Sequence, residues 1–375
     1  MVRLKGITWD HPRGYAPLIA TASAYSQGHP DVEIVWEKRP LEAFENRPLN
    51  QLGREFDLLV IDHPHVGAAA LDRCLARLED TGRHKELQIL EQKSVGGSHQ
   101  SYQYKNGQWA LAIDTAAQAS AYRADLLPSP PANWREVVAL SGGGRVLWPL
   151  RPVHALMSFF TLAASAGTPC GATERHLIRE QDGVAVLCAM DEVFRNVPRE
   201  CLDLDPIGVL EGLSEGEDFV YSPLVFCYAN YARRGFRRHL IRFGSIPEFG
   251  SGGARSILGG AGIAVSAWAH DQQSAVDYAF WLAGADCQKT IYFESGGQPA
   301  NRDAWEDDAV NALSQNFFRE LRTTMDQSWM RPRHAGYLEF QKQGGSIIHE
   351  FLERRRTAKD AVRTLQCAYE ASWET

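Results

Sequence analysis

Apolar and polar positions recur with two different periods along the first hundred residues. Leu4 to Asp10 reads as a strand, and Tyr15 to Gln27 as a helix stopped by Gly28 and Pro30. Val32, Ile34 and Trp36 repeat at period two, which predicts a second strand. Leu41 to Gly53 has helical spacing. Phe56 to Ile61 is an unbroken apolar run between charges, the pattern of a strand covered on both faces. Leu71, Cys74, Leu75 and Leu78 then share the face of a predicted helix. Strands alternating with helices predict an open, mainly parallel α/β sheet.

The alternation continues with less even spacing. Trp109 to Ile113 reads as a strand. Asn133 and Glu136 have capping-box spacing after the proline-rich turn Pro128 to Pro131. Arg145 to Trp148 reads as a short strand, followed by a helix over Val153 to Ala166 and further helix to about Asn196. Leu224 to Ala229 and His239 to Phe243 read as strands. Gly250 to Gly262 is a glycine-rich loop leading into a strand over Gly262 to Ser266. A helical C-terminal segment ends in a helix opened by Thr357 and Asp360, with Val362, Leu365 and Tyr369 on one face.

Composition narrows the function classes. The 375 residues carry 44% apolar and 23% charged positions, as in an ordinary globular protein. A chain this long hides roughly 75% of its unfolded surface, enough for two cores. No run reaches the roughly 18 uncharged apolar residues that a spanning helix needs. A net charge of −7 argues against a binder that relies on bulk positive charge. The seven cysteines are odd in number and widely spaced, and no Cys-x-x-Cys pair exists, so neither a disulfide framework nor a zinc site of that kind is predicted. The start, Met-Val-Arg-Leu-Lys-Gly, has no apolar core of a secretory signal, which predicts a cytoplasmic chain if the sequence is taken as written.

Local catalytic strings are absent. There is no Gly-Lys-Ser/Thr phosphate loop, no Gly-x-Ser-x-Gly elbow and no His-Glu-x-x-His. In Gly250-Ser-Gly-Gly-Ala-Arg255, Arg255 stands where a dinucleotide loop needs its third glycine. No cofactor is implied. The chemistry-bearing residues instead collect at predicted strand ends, where open α/β sheets bind their ligands. Trp9, Asp10, His11 and Arg13 follow the first strand. Asp62, His63 and His65 follow the third. Arg151 and His154 follow the strand that ends at Trp148. These three places hold four of the twelve histidines. Aromatic faces stack on rings and Arg pairs with carboxylates, so the set suits a small polar or anionic ligand. His11, Asp62, His63 and His65 are also acceptable metal ligands, and a general base among His11, His63, His65 or His154 would make an enzyme.

The layout resembles the extracellular solute-binding proteins of ABC transporters, the family that includes maltose- and other sugar-binding proteins. The matching pieces are Gly6-Ile-Thr-Trp9, Glu55-Phe-Asp-Leu-Leu-Val-Ile-Asp62, Trp109-Ala-Leu-Ala-Ile-Asp114, Asp125-Leu-Leu-Pro128 with Pro130-Pro-Ala-Asn-Trp134, Gly259-Gly-Ala-Gly-Ile-Ala-Val-Ser266, Ala275 to Gly284 with Gln288, and Gly296-Gly-Gln-Pro299. Their order covers nearly the whole chain.

The resemblance implies a type II periplasmic-binding-protein-like fold of two α/β lobes joined by a multi-segment hinge. Lobe 1 would be 1–112 and 256–306, and lobe 2 would be 113–255 and 307–375, with the chain crossing near residues 113, 255 and 306. It implies a monomer that captures a small solute, a carbohydrate or an organic or aromatic acid, by closure of a cleft between the lobes, for import by an ABC permease. No nucleic acid and no spanning segment enter this reading. It implies a periplasmic location, against the cytoplasmic one read from the first residues. By position it adds Trp148, Tyr221 and Tyr228 from the second lobe, and Ser256, Gly260 and Arg302 near the return strand and hinge. Ferric-binding relatives of this fold use paired tyrosines, so a metal-ion binder built on Tyr221 and Tyr228 stays open beside the cleft-histidine enzyme.

Overall fold

The computed structural model of the chain describes residues 1–41, 43 and 47–374. Its strands are β1 (Val2–Trp9), β2 (Val32–Arg39), β3 (Leu58–Ile61), a small hairpin of β4 (Gln103–Tyr104) and β5 (Gly107–Gln108), β6 (Leu111–Tyr122), β7 (Tyr221–Phe226), β8 (Arg242–Gly244) and β9 (Leu258–Val265). The chain divides into two units. The first holds Met1–Ala116, Gly259–Ala312 and Arg333–Ala335. The second holds Ala117–Leu258, Leu313–Pro332 and Gly336–Thr375. The sequence expectation put the crossings near 113, 255 and 306. Among the described residues no helix is long and apolar enough to cross a membrane.

In the first unit, β1 is central and parallel to both neighbours. It pairs with β2 from Val2↔Val32 to Trp9↔Arg39, and with β3 at Gly6↔Leu58 and Ile7↔Leu59. β3 then pairs antiparallel with β9, from Leu58↔Val265 to Ile61↔Gly262. The α/β class read from the sequence stands; the pairing is mixed rather than mainly parallel. The apolar run of β3 is covered on both faces, as its sequence predicts. Leu58 and Val60 enter a core with Leu4, Trp36, Ile263 and Tyr278, while Leu59 and Ile61 enter one with Ile7, Leu52 and Phe56. Successive side chains on a strand point to opposite faces, so one strand serves both cores.

Several predicted elements differ. The first helix begins at Pro12, three residues before Tyr15, because His11 caps it and Pro12 needs no N–H partner at the first position. Part of the helix predicted over 41–53 falls at 42 and 44–46, outside the described residues; the helix Leu49–Glu55 follows. The helix predicted through Leu71 and Leu78 is only Val66–Asp72. Arg73 takes a left-handed conformation and ends it, and Leu71 is exposed. The next residues are claimed by the sheet: Leu75 bridges Ser266, and Ala76 N–H donates to Val265 O. Backbone pairing thus overrides the helical spacing.

In the second unit, the later part of β6 pairs antiparallel with β7 (Tyr122↔Tyr221) and β8 (Tyr122↔Arg242). The strand expected at Arg145–Trp148 is a single bridge, Val146 to Tyr221. The helix Pro152–Ser165 is buried all round from His154 onward, as a helix apolar on every side should be. It packs against Tyr337–Leu352, with the rings of Phe160 and Phe340 stacked at 6.5 Å. The last helix is Ala358–Ala371. Thr357 Oγ1 accepts the Asp360 N–H, and Val362, Leu365 and Tyr369 are buried, as read from the sequence.

Candidate functional site

The carboxyl ends of β1 and β3 place the first group of polar side chains. Trp9 closes β1 and lies in the core, its indole seated where a Cβ on Gly14 would come within 2.4 Å. Only glycine at 14 admits that ring. Asp10 is exposed and paired with Lys38 at 2.8 Å. His11 is buried and caps the following helix: its Nδ1 accepts the Arg13 N–H at 3.0 Å. Arg13 is buried as well. Its Nε donates to Asp114 Oδ2 at 2.7 Å and its Nη2 donates to Asp114 Oδ1. Burial pushes the Asp114 carboxyl up from its usual range, and the Arg13 guanidinium pulls it back. Both prongs of Arg13 are therefore committed inside the protein.

Beyond β3, Asp62 caps a single tight turn, His63–His65. Its Oδ1 accepts the His63 N–H at 2.8 Å and stands 3.2 Å from His63 Nδ1. His63 and His65 are both buried, and His63 meets the edge of Tyr102. The Tyr102 hydroxyl donates to Ile61 O at 3.3 Å, tying this group back to β3. Gly260 and Arg302, also in the first unit, have structural duties. Gly260 has φ +125°, and a Cβ there would lie 2.4 Å from Asp114 O. The close approach is to β6. Arg302 opens the turn Arg302–Glu306 and donates from Nη2 to Ser94 O at 3.3 Å.

The second unit holds the remaining candidates. Trp148 is fully buried, donates from Nε1 to Ser158 Oγ at 3.1 Å and meets Trp134 edge-on at 5.6 Å. It is a core residue. Tyr221 is fully buried in β7, and burial pushes its hydroxyl far up. Tyr228 is buried and packs edge-on against Tyr231. Ser256 is buried, and its carbonyl accepts the Trp329 N–H at 2.7 Å. Arg151, part exposed, stands just before the helix Pro152–Ser165, and its Nη1 donates to Asp205 Oδ2 at 3.4 Å. His154 is buried in that helix's first turn, and burial pushes it down to about 4, against the pull of Asp205 and with help from Arg151 and Arg331. The imidazole is therefore neutral at physiological pH.

Among the described residues no three His, Cys, Asp or Glu side chains gather in a way that could hold a metal ion. Cys74, Cys201 and Cys287 are buried and pushed up to about 11, 11 and 12, so their thiols stay protonated and unreactive. Sequence reasoning missed two polar anchors on β6. One is Asp114. The other is Gln118, whose Oε1 accepts from Thr161 Oγ1 at 2.5 Å. The available signal was the polar residues set inside an otherwise apolar strand, where each needs a built partner.

The fold is that of several solved solute-binding proteins. The maltose-bound MalE3 of T. maritima has TM-score 0.85 at 18% identity, covering 99% of each chain. A solute-binding protein of Agrobacterium radiobacter in complex with ribitol has TM-score 0.82 at 18% identity over 99% of this chain and 98% of that one. A Thermotoga lettingae solute-binding protein bound with α-D-tagatose has TM-score 0.84 at 13% identity over the whole of both chains. The chain shares their fold from end to end. No family model matches the sequence, and a search of the curated proteins finds no match.

Proposed function

We propose that this chain is a solute-binding protein that captures a small polyhydroxylated solute outside the cytoplasmic membrane and delivers it to an ABC permease. The observation that carries the reading is the end-to-end likeness to solved solute-binding proteins whose ligands are maltose, ribitol and tagatose. Binding needs no chemistry, and the reading assigns no nucleophile, metal or cofactor. The residues assigned to a solute are His11, Asp62, His63 and His65 of the first unit, whose imidazole and carboxylate groups exchange hydrogen bonds with hydroxyls. Arg13 enters only through the residues it holds, because its guanidinium is engaged by Asp114.

The test is a thermal-shift screen against maltose, ribitol, tagatose, other sugars, and organic and aromatic acids. A ligand at 100 times its Kd adds about 2.7 kcal/mol to the native state, a shift of several degrees. A saturable shift from polyols or sugars, with the ligand recovered unchanged, supports the proposal. A shift confined to acids changes the solute class, and turnover of any ligand replaces binding by catalysis.

A further inference from the structure

We infer that the crevice lined by Ser94, His99 and Asn301 in the first unit is a binding site for one ordered water, which serves as the hydrogen-bond partner of the His99 imidazole and ties it to Asn301.

His99 is 4% exposed, yet only its backbone is bonded. Its N–H donates to Ser94 Oγ at 2.9 Å, and its carbonyl accepts from Gln108 Nε2 at 3.1 Å and from the Tyr102 N–H at 3.2 Å. Among the described residues its ring nitrogens have no hydrogen-bond partner. Burial pushes the imidazole below its usual pKa, against the pull of Glu91 and Glu79, so the neutral ring has one donor and one acceptor to satisfy. Buried polar groups are costly without a partner, and in folded proteins an internal water supplies what the chain does not.

The crevice has room for one such partner. Its volume is about 10 Å³, close to that of a single water-sized sphere. Leu90, Ala112 and Ala283 form its apolar side. Two more polar residues complete the lining. Ser98 has one hydroxyl proton and gives it to Val95 O at 2.8 Å, so in the Ser94–Ser98 contact, also 2.8 Å, Ser94 is the donor. The Ser94 oxygen accepts the His99 N–H and keeps a second lone pair. Asn301 Oδ1 accepts the Asp303 N–H at 3.0 Å, while Nδ2 has no bond among the described residues. A donor on Asn301, an acceptor on Ser94 and one ring nitrogen of His99 make three partners, the usual number for a buried water. The nearby ammonium is already engaged, because Lys93 Nζ donates to Asp303 Oδ1 at 2.8 Å. A lining of neutral groups favours a neutral occupant over an ion.

The water extends a seam of direct bonds. Ser94 bridges Asn301, the Val95 N–H donates to Ala300 O at 3.2 Å, and the Arg302 N–H donates to Lys93 O at 2.6 Å. These bonds fasten the late segment 300–302 to the chain that leaves the helix His84–Gln92. Through the water the fastening continues to the turn Ser98–Ser101.

The experiment is a crystal structure of the full chain at a resolution that shows ordered water, paired with water–protein NOE spectra in solution. The expected result is one density peak at about 2.7–3.2 Å from a His99 ring nitrogen and from Asn301 Nδ2. The His99 ring protons should also show an NOE to a water that stays longer than surface water does. Ala112→Val, shown to be folded by circular dichroism, puts methyl groups into the crevice and should remove both signals. Should Ala112→Val fail to fold, His99→Phe, which removes both ring nitrogens, should remove the density peak. A parent protein without density in the crevice, or with a peak that refines as an ion, overturns the inference. So does a peak that persists unchanged in the folded variant.

Discussion

Arg13 and Asp114 stand 101 residues apart in the sequence and meet in the first unit as a two-pronged ion pair, both side chains almost fully out of solvent. The pair joins the helix after β1 to β6. Removing one partner strands a buried charge, which costs about 3–5 kcal/mol, whereas replacing both by apolar residues of similar volume is often neutral. Asp114→Ala is therefore expected to lower the unfolding free energy read from urea denaturation by that amount, and Arg13→Met with Asp114→Leu to recover most of it. Equal losses in the single and the double variant would show that the pair does not act as a unit.

Gly260 has no room for a side chain. Its φ of +125° is a region L-residues avoid, and a Cβ would press on the backbone carbonyl of Asp114 at 2.4 Å. Backbone strain alone costs about 1–3 kcal/mol. Gly260→Ala should lose at least that much in thermal or urea unfolding. A variant as stable as the parent would mean that β9 can shift away from β6.

His154 makes stability depend on pH. Its folded pKa is about 4, below the 6.5 of the unfolded chain, so the folded state binds fewer protons. The stabilisation is full above pH 6.5 and is lost as pH falls toward 4, about 3 kcal/mol in all. His154→Gln should flatten the urea midpoint against pH across that window. An unchanged slope would remove His154 as the cause.

Trp148 separates core from site. With its ring buried and its Nε1 bonded to Ser158, Trp148→Phe should cost about 1–2 kcal/mol through the orphaned hydroxyl and lost volume. The affinity for whichever sugar the screen identifies should stay within about twofold. A large loss of affinity at full stability would return Trp148 to the binding residues.

Asp62 acts through the turn it caps. Asp62→Ala removes the acceptor of the His63 N–H, a capping loss of about 1 kcal/mol. His63 and His65 then lose their fixed placement, so sugar affinity should fall tenfold or more, with Asp62→Asn retaining most of it. Isothermal calorimetry reads both. Unchanged affinity in Asp62→Ala would take these two histidines out of the site.

The fold class was legible because periodicity reports burial. Ile7 to Trp9, the apolar run into Ile61 and the capped helix after Thr357 all lie where spacing and caps put them. The failures share a cause: a partner far away in sequence. The helix predicted through Leu78 loses its second half to the edge of β9, and Arg145–Trp148 never gains enough neighbours to become a strand. The candidate site was legible only as positions. That His11, Asp62, His63 and His65 follow strand ends could be read. That Trp148 turns inward, that Arg13 is engaged and that Gly260 yields to a carbonyl could not, because each depends on an atom brought in by folding.

The pairing of β3 with β9 has a consequence for synthesis. β3 is the most apolar strand of the first unit, and its far neighbour belongs to a later stretch of chain: the His270 N–H bonds the Asp57 carboxylate across 213 residues. At roughly 5–20 residues per second, the ribosome leaves this edge uncovered for on the order of 10–40 seconds. During that time the nascent first unit can neither close its sheet nor commit to its fold, and Leu58 to Ile61 offers an adhesive edge to any other strand. Such delay keeps the early chain pliable until its distant neighbour has been made.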